Sequence, residues 1–139
     1  EMTNTSPYGF LSFSLRYFPD TRFTKMDTAI ALDANEFMES KQLVGGIFVY
    51  KKCDHAINIF KECYHACCSK NYHLITDAPS VATNYPDFQE HRHDQSVFSL
   101  LRKKIGTTTI VDETYWGPDW HERGANFPIW ARRRRIPLK

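Results

Sequence analysis

The chain has 139 residues, enough for one modest domain and too few for two comfortable ones. With 42% hydrophobic and 24% charged residues it is not a disordered chain, and no apolar run approaches the roughly 20 residues of a membrane-spanning helix. A formal charge of +2 does not by itself call for nucleic acid, although Arg132, Arg133, Arg134 and Arg135 gather positive charge at one place.

Phe10–Phe18 alternates apolar and polar residues, which predicts a half-buried strand at or near a sheet edge, ended by Pro19–Asp20. Thr24 is placed to cap a short helix over Lys25–Leu32 with Met26, Ala29 and Ile30 inward, and a second short turn follows through Phe37 and Met38. Leu43–Tyr50 is apolar nearly throughout, as a centrally buried strand would be. Gly45 and Gly46 weaken such a strand unless something approaches its backbone closely; a bulge, or tight packing against a helix, accounts for them equally well. Asp54 is placed to cap the next helix, which carries Ile57, Phe60, Tyr64 and Cys67 or Cys68 along one face. From Asn71 the periodicity breaks, and Leu74–Phe88 is a long irregular stretch of the kind that supplies binding or lid segments.

The densest chemistry lies in Glu90–Gly106. Asp94 is placed as an N-cap, Val97, Phe98, Leu100, Leu101 and Ile105 form one apolar face, Lys103 and Lys104 complement the helix dipole, and Gly106 suits the position past the end. His91, Arg92, His93 and Asp94 would then stand at a helix N-terminus, where an anion such as a phosphate is favoured. Thr107–Val111 is a short strand, so the strand–helix–strand alternation predicts a single α/β domain over residues 1–139. From Asp112 to the end the chain is irregular, with Trp116, Trp120 and Trp130 as anchors and His121 among them.

Each constellation has a plain reading beside its chemical one. His91, His93 and Asp94 could ligate a metal, Asp94 and Gln95 could orient a sugar hydroxyl or sit by a developing positive charge, or the segment could be a helix cap with two surface histidines. Lys25 and Asp27 could hold a phosphate or hydroxyl, or merely solubilise a helix start. The cysteines Cys53, Cys63, Cys67 and Cys68 crowd one region, and Cys63 with Cys67 could join His55 or His73 in a zinc site, but the spacing contains no CxxC pair and buried free thiols account for it as well. That leaves an alternative class, a non-catalytic zinc-containing binding module whose arginine run meets nucleic acid or an anionic membrane.

TKMDTAIALDAN, GGIFVYKK, PDFQEHRHDQSVFSLLRKKIG and FPIWARRRR, taken in order, resemble the C-terminal part of glycosyltransferase-like proteins of polysaccharide and capsule biosynthesis. More distantly, the glycine-containing strand followed by a DQ-bearing helix start is similar to the GT-A hexosyltransferases of the glycogenin and galactosyltransferase type. The resemblance implies a GT-A-like mixed sheet flanked by helices, present as the C-terminal portion of a larger domain. It also implies sugar transfer from a nucleotide-sugar donor to a saccharide or lipid-linked acceptor, and a divalent ion, Mn²⁺ or Mg²⁺, on the diphosphate. By the same resemblance Asp94 and Gln95 lie beside the reacting sugar, Gly45 and Gly46 pass under it, Lys25 and Asp27 lie near the donor, and His121 completes the metal site. The protein is then expected in the cytoplasm or at an anionic membrane surface reached through the arginine run.

Overall fold

The computed structural model describes residues 6–131, so the arginines at 132–135 lie outside the described residues. Strand β1 (Phe10–Pro19) is central in a three-stranded sheet, with β2 (Lys41–Tyr50) antiparallel on one side and β3 (Thr108–Val111) parallel on the other. The alternating run is thus the central strand and the continuous apolar run an edge strand, the reverse of the expectation. The polar positions of β1 meet protein instead of water. The buried hydroxyl of Ser12 shares a hydrogen bond with Thr107 at 2.9 Å, and Ser14 Oγ donates to the carbonyl of Ile110 at 3.2 Å.

Between β1 and β2 run α1 (Asp20–Phe23), α2 (Met26–Ala31) and a 3-10 turn at Asn35–Phe37. After β2 come α3 (Asp54–Cys68), a 3-10 segment at Lys70–Ile75, the irregular stretch and α4 (His93–Ile105). Beyond β3, β4 (Thr114–Tyr115) and β5 (Ile129–Trp130) pair in parallel around a π turn at Trp120–Gly124, giving the tail more regular structure than its composition suggested. The architecture is a small mixed sheet with helices against it, which meets the α/β expectation.

One sheet face packs Phe10 and Phe48 against Ile59, Phe60 and Phe98 of α3 and α4, with Phe48 and Phe98 edge-to-face at 5.2 Å. The other face carries Leu11, Phe13 and Val44, with Ile110 of β3 beside them and Ile129 of the tail packed against them. Helix α4 is buried without a break from Ser96 to Arg102. Its apolar side meets α2 and α3, as the periodicity predicts. Its polar positions Gln95, Ser96, Ser99, Arg102 and Lys103, three to four residues apart and so on one helical stripe, face the sheet and its flanking turns.

Each of the three helix caps expected from sequence is displaced, those at Thr24 and Asp54 by one residue and that at Asp94 by two. The cap positions are Lys25, Cys53 and Arg92, none with a side-chain capping bond. Thr24 donates instead to Asp20 Oδ1 at 2.9 Å, a buried partner that sequence spacing did not reveal. Asp54 and Asp94 fall in the first turn, where a carboxylate acts through the helix dipole and not as a cap acceptor.

Candidate functional site at the mouth of α4

The expected site residues separate into distinct surroundings. The first group joins Gly45, Gln95 and Arg92. Between Ser14↔Leu43 and Ser12↔Phe48 the β2 chain spans more residues than β1, so Gly45 and Gly46 lie in a bulge. A Cβ added at Gly45 would stand 2.9 Å from Gln95 Cβ, whereas one at Gly46 would meet nothing within 4 Å. Only Gly45 is therefore required by close approach, and what approaches is α4 itself. Gln95 Nε2 donates to Gln42 Oε1 at 2.8 Å, and Arg92 Nη1 reaches the same oxygen at 3.4 Å. The guanidinium of Arg92 lies 3.6 Å from the ring centre of Phe23 and 5.2 Å from that of Phe18. Gln42, a fully buried amide at the start of an apolar strand, organises this row and was missed in the sequence reading; its only signal was a polar residue where the strand pattern wanted an apolar one.

Asp94 stands on another side of the same turn. It is exposed, its carboxylate forms no hydrogen bond with another described residue, and its charge is felt by the Cys63 and Cys67 thiols. His93 opens the helix with a backbone φ of +44°, a left-handed conformation uncommon outside glycine and asparagine, and its ring bonds Asp77 at 2.8 Å. Ser96 closes the entry: its backbone N–H donates to the Arg92 carbonyl at 3.2 Å, and its hydroxyl accepts the Arg92 N–H at 3.2 Å and donates to the Phe23 carbonyl at 2.6 Å.

The second group pins the irregular stretch. Lys25 is 2% exposed, and its ammonium donates to the carbonyls of His73, Thr76 and Ala78. Asp27 accepts the N–H groups of Val81 and Ala82 at 2.8 and 2.9 Å and the ring of His73 at 2.9 Å. Burial works against ionisation of Asp27, but these donors outweigh it and hold the carboxyl below its usual range. His91 is buried with both ring nitrogens engaged. Nδ1 accepts the Lys25 N–H at 3.3 Å, so Nε2 carries the proton and donates to the Leu74 carbonyl at 2.7 Å. Burial lowers its pKa to about 4, so the ring is neutral. Lys25, Asp27 and His91 thus serve the loop that frames the helix mouth, with their polar atoms turned to protein partners.

His121 is exposed on the π turn of the tail. Among the described residues no group of three or more His, Cys, Asp or Glu side chains is placed to hold a metal ion. Of the side chains considered for zinc, His55 bonds the Gly106 carbonyl at 2.8 Å through Nε2, His73 bonds Asp27, and burial pushes the Cys63 thiol up to about 12 and raises that of Cys67. Compared with protein-family models, curated proteins and solved structures, the chain matches none.

Proposed function

We propose that the chain is the donor-sugar and acceptor portion of a glycosyltransferase, working at the N-terminal mouth of α4. The observation that carries this reading is the seating of Gln95 directly on Gly45. It joins the glycine strand and the DQ helix start, the two motifs on which the sequence resemblance rests, although they are 50 residues apart in the chain. A GT-A-like arrangement of the mixed sheet belongs to the same proposal.

In this reading Gln95 and Arg92, held by Gln42, present amide and guanidinium donors to the sugar hydroxyls at a positive helix end. Asp94, solvent-facing and with no described hydrogen-bond partner for its carboxylate, takes the proton of an acceptor hydroxyl as that oxygen attacks the anomeric carbon and the nucleoside diphosphate departs. The described residues do not fit the divalent ion that the resemblance implies, since His121 belongs to no cluster of ligands, and no step is assigned to it.

The test is transfer of sugar from a panel of nucleotide-sugars by the full-length protein. Gln95→Ala and Asp94→Asn are each expected to lower kcat by about 10²-fold, with thermal unfolding little changed. Transfer rates that survive both substitutions would refute the proposal.

A further inference from the structure

Beside the helix mouth, on the sheet face covered by the tail, lies an open groove of about 570 Å³ between the outward-bulged end of β1 and the segment that follows β3. Arg92 belongs to both places: it lines the groove and also reaches the Gln42 oxygen that holds Gln95. Four aromatic rings border the groove and remain open to solvent: Tyr17 is 74% exposed, Trp116 57%, Phe127 39% and Phe18 36%. Leaving this much aromatic surface uncovered costs hydrophobic free energy, and the rings are gathered at one concavity instead of scattered.

The polar groups of the groove are asymmetric. Asp112 is engaged by its own loop, Oδ1 accepting the Thr114 N–H at 3.0 Å and Oδ2 accepting the Trp116 indole N–H at 2.9 Å, which fixes the ring. Arg16 and Arg92 also line the groove; the Arg92 guanidinium is already paired with Glu90 at 3.3 Å, whereas Arg16 brings a second positive charge. Thr114, 5% exposed in the groove wall, carries the one buried side-chain oxygen among the described residues that has no hydrogen-bond partner.

We infer that this groove binds an acidic saccharide, a pyranose chain bearing a carboxylate, as the acceptor in the transfer reaction; the assignment of the acceptor role rests on the transferase reading above. The C–H faces of a pyranose carry slight positive charge and suit the negative faces of aromatic rings. The carboxylate supplies acceptors for the Arg16 guanidinium, in the planar geometry that Arg matches best. A groove that ends at Arg92 delivers the chain terminus to the helix mouth, where Gln95 and Asp94 stand.

Binding is measured directly on the full chain, with no donor present, by isothermal titration calorimetry. The probes are tetragalacturonate, neutral maltotetraose and uridine monophosphate. Tetragalacturonate is expected to bind at least about tenfold more tightly than maltotetraose, and Trp116→Ala to weaken it by about tenfold or more. Arg16→Ala is expected to bring the acidic and neutral ligands to within about threefold of each other. Tyr17→Ala, at a largely exposed ring, provides a second variant should Trp116→Ala disturb the tail. The inference is overturned if neither saccharide binds saturably below about 10 mM, if both aromatic variants bind like the parent, or if uridine monophosphate alone occupies the groove. None of these variants touches Gln95. If groove binding fails while Gln95→Ala still abolishes transfer, only the groove assignment is lost; if the groove binds and no transfer occurs, the transferase reading is lost and the saccharide site stands.

Discussion

His91 shows how a single residue can look functional in sequence and prove structural. A histidine two residues from another, ahead of a helix, has the look of a ligand, yet its ring is buried and bridges the Lys25 amide and the Leu74 carbonyl. The consequence is measurable. The folded ring takes up a proton only near pH 4, whereas an unhindered histidine does so near 6.5. Between those values the unfolded chain binds the extra proton. The stability that His91 contributes is therefore complete above about pH 6.5 and falls as pH drops towards 4, by up to roughly 3 kcal/mol. Urea unfolding at pH 7 and pH 5 should show this slope in the parent, and His91→Gln should remove its share of it. An unchanged slope in the variant would mean that His91 is not the buried neutral group described.

At the scale of elements, the bulge in β2 determines how near α4 can come to the sheet. Paired glycines in an apolar strand give one signal, but the structure distinguishes them. Gly45→Ala places a methyl group against the base of the Gln95 side chain, which cannot swing away, and is expected to destabilise by about 1–3 kcal/mol. Gly46→Ala enters open space and should change stability by no more than about 0.5 kcal/mol. Equal losses in chemical denaturation of the two variants would show that the bulge, and not contact with α4, selects glycine here. The same close approach explains why the helix needs small polar residues at Ser96 and Ser99 on its sheet side: Ser99 Oγ accepts the Leu43 N–H at 2.9 Å, satisfying a donor that the irregular strand pairing leaves over.

Across the whole molecule the elements are tied by a buried polar network as well as by the aromatic core. Asp20, with no exposed surface, accepts from Thr24 at 2.9 Å, Gln42 at 3.0 Å and Ser99 at 2.9 Å, and pairs with Lys103. It therefore joins α1, β2 and α4. Beside it the fully buried Arg102 donates to the Val44 carbonyl at 2.8 Å and to Ser12 at 3.2 Å, with its guanidinium 4.2 Å from the ring centre of Phe98. Burial lowers the pKa of Arg102 only to about 10, so the cation persists at neutral pH and needs these acceptors. Removing the anion by Asp20→Ala leaves Lys103 largely buried without its partner, and a loss of roughly 3–5 kcal/mol is expected in equilibrium unfolding. A loss under about 1 kcal/mol would mean that water replaces the carboxylate and that the network is not a structural joint.

The period-two and period-3.6 patterns determined which segments are strands and which helices, because those patterns record only whether successive side chains meet apolar surroundings. The three main strands, the helices over Asp54–Cys68 and His93–Ile105 and the α/β class were legible for that reason. Strand order was not, since Ser12 and Ser14 read as solvent-facing until Arg102, Thr107 and Ile110 are brought to them from about 90 residues away. The caps shifted by one or two residues because tertiary partners competed for Thr24 and because Ser96 took over the entry to α4. Of the residues singled out around Glu90–Gly106, the fold joins Gln95 and Arg92 on Gln42, leaves Asp94 exposed on another side of the same turn and turns His91 inward. Gln42 and Asp20, separate and unremarked in sequence, become the residues that hold that mouth together, because long-range hydrogen bonding selects partners by position in space and local sequence does not record that position.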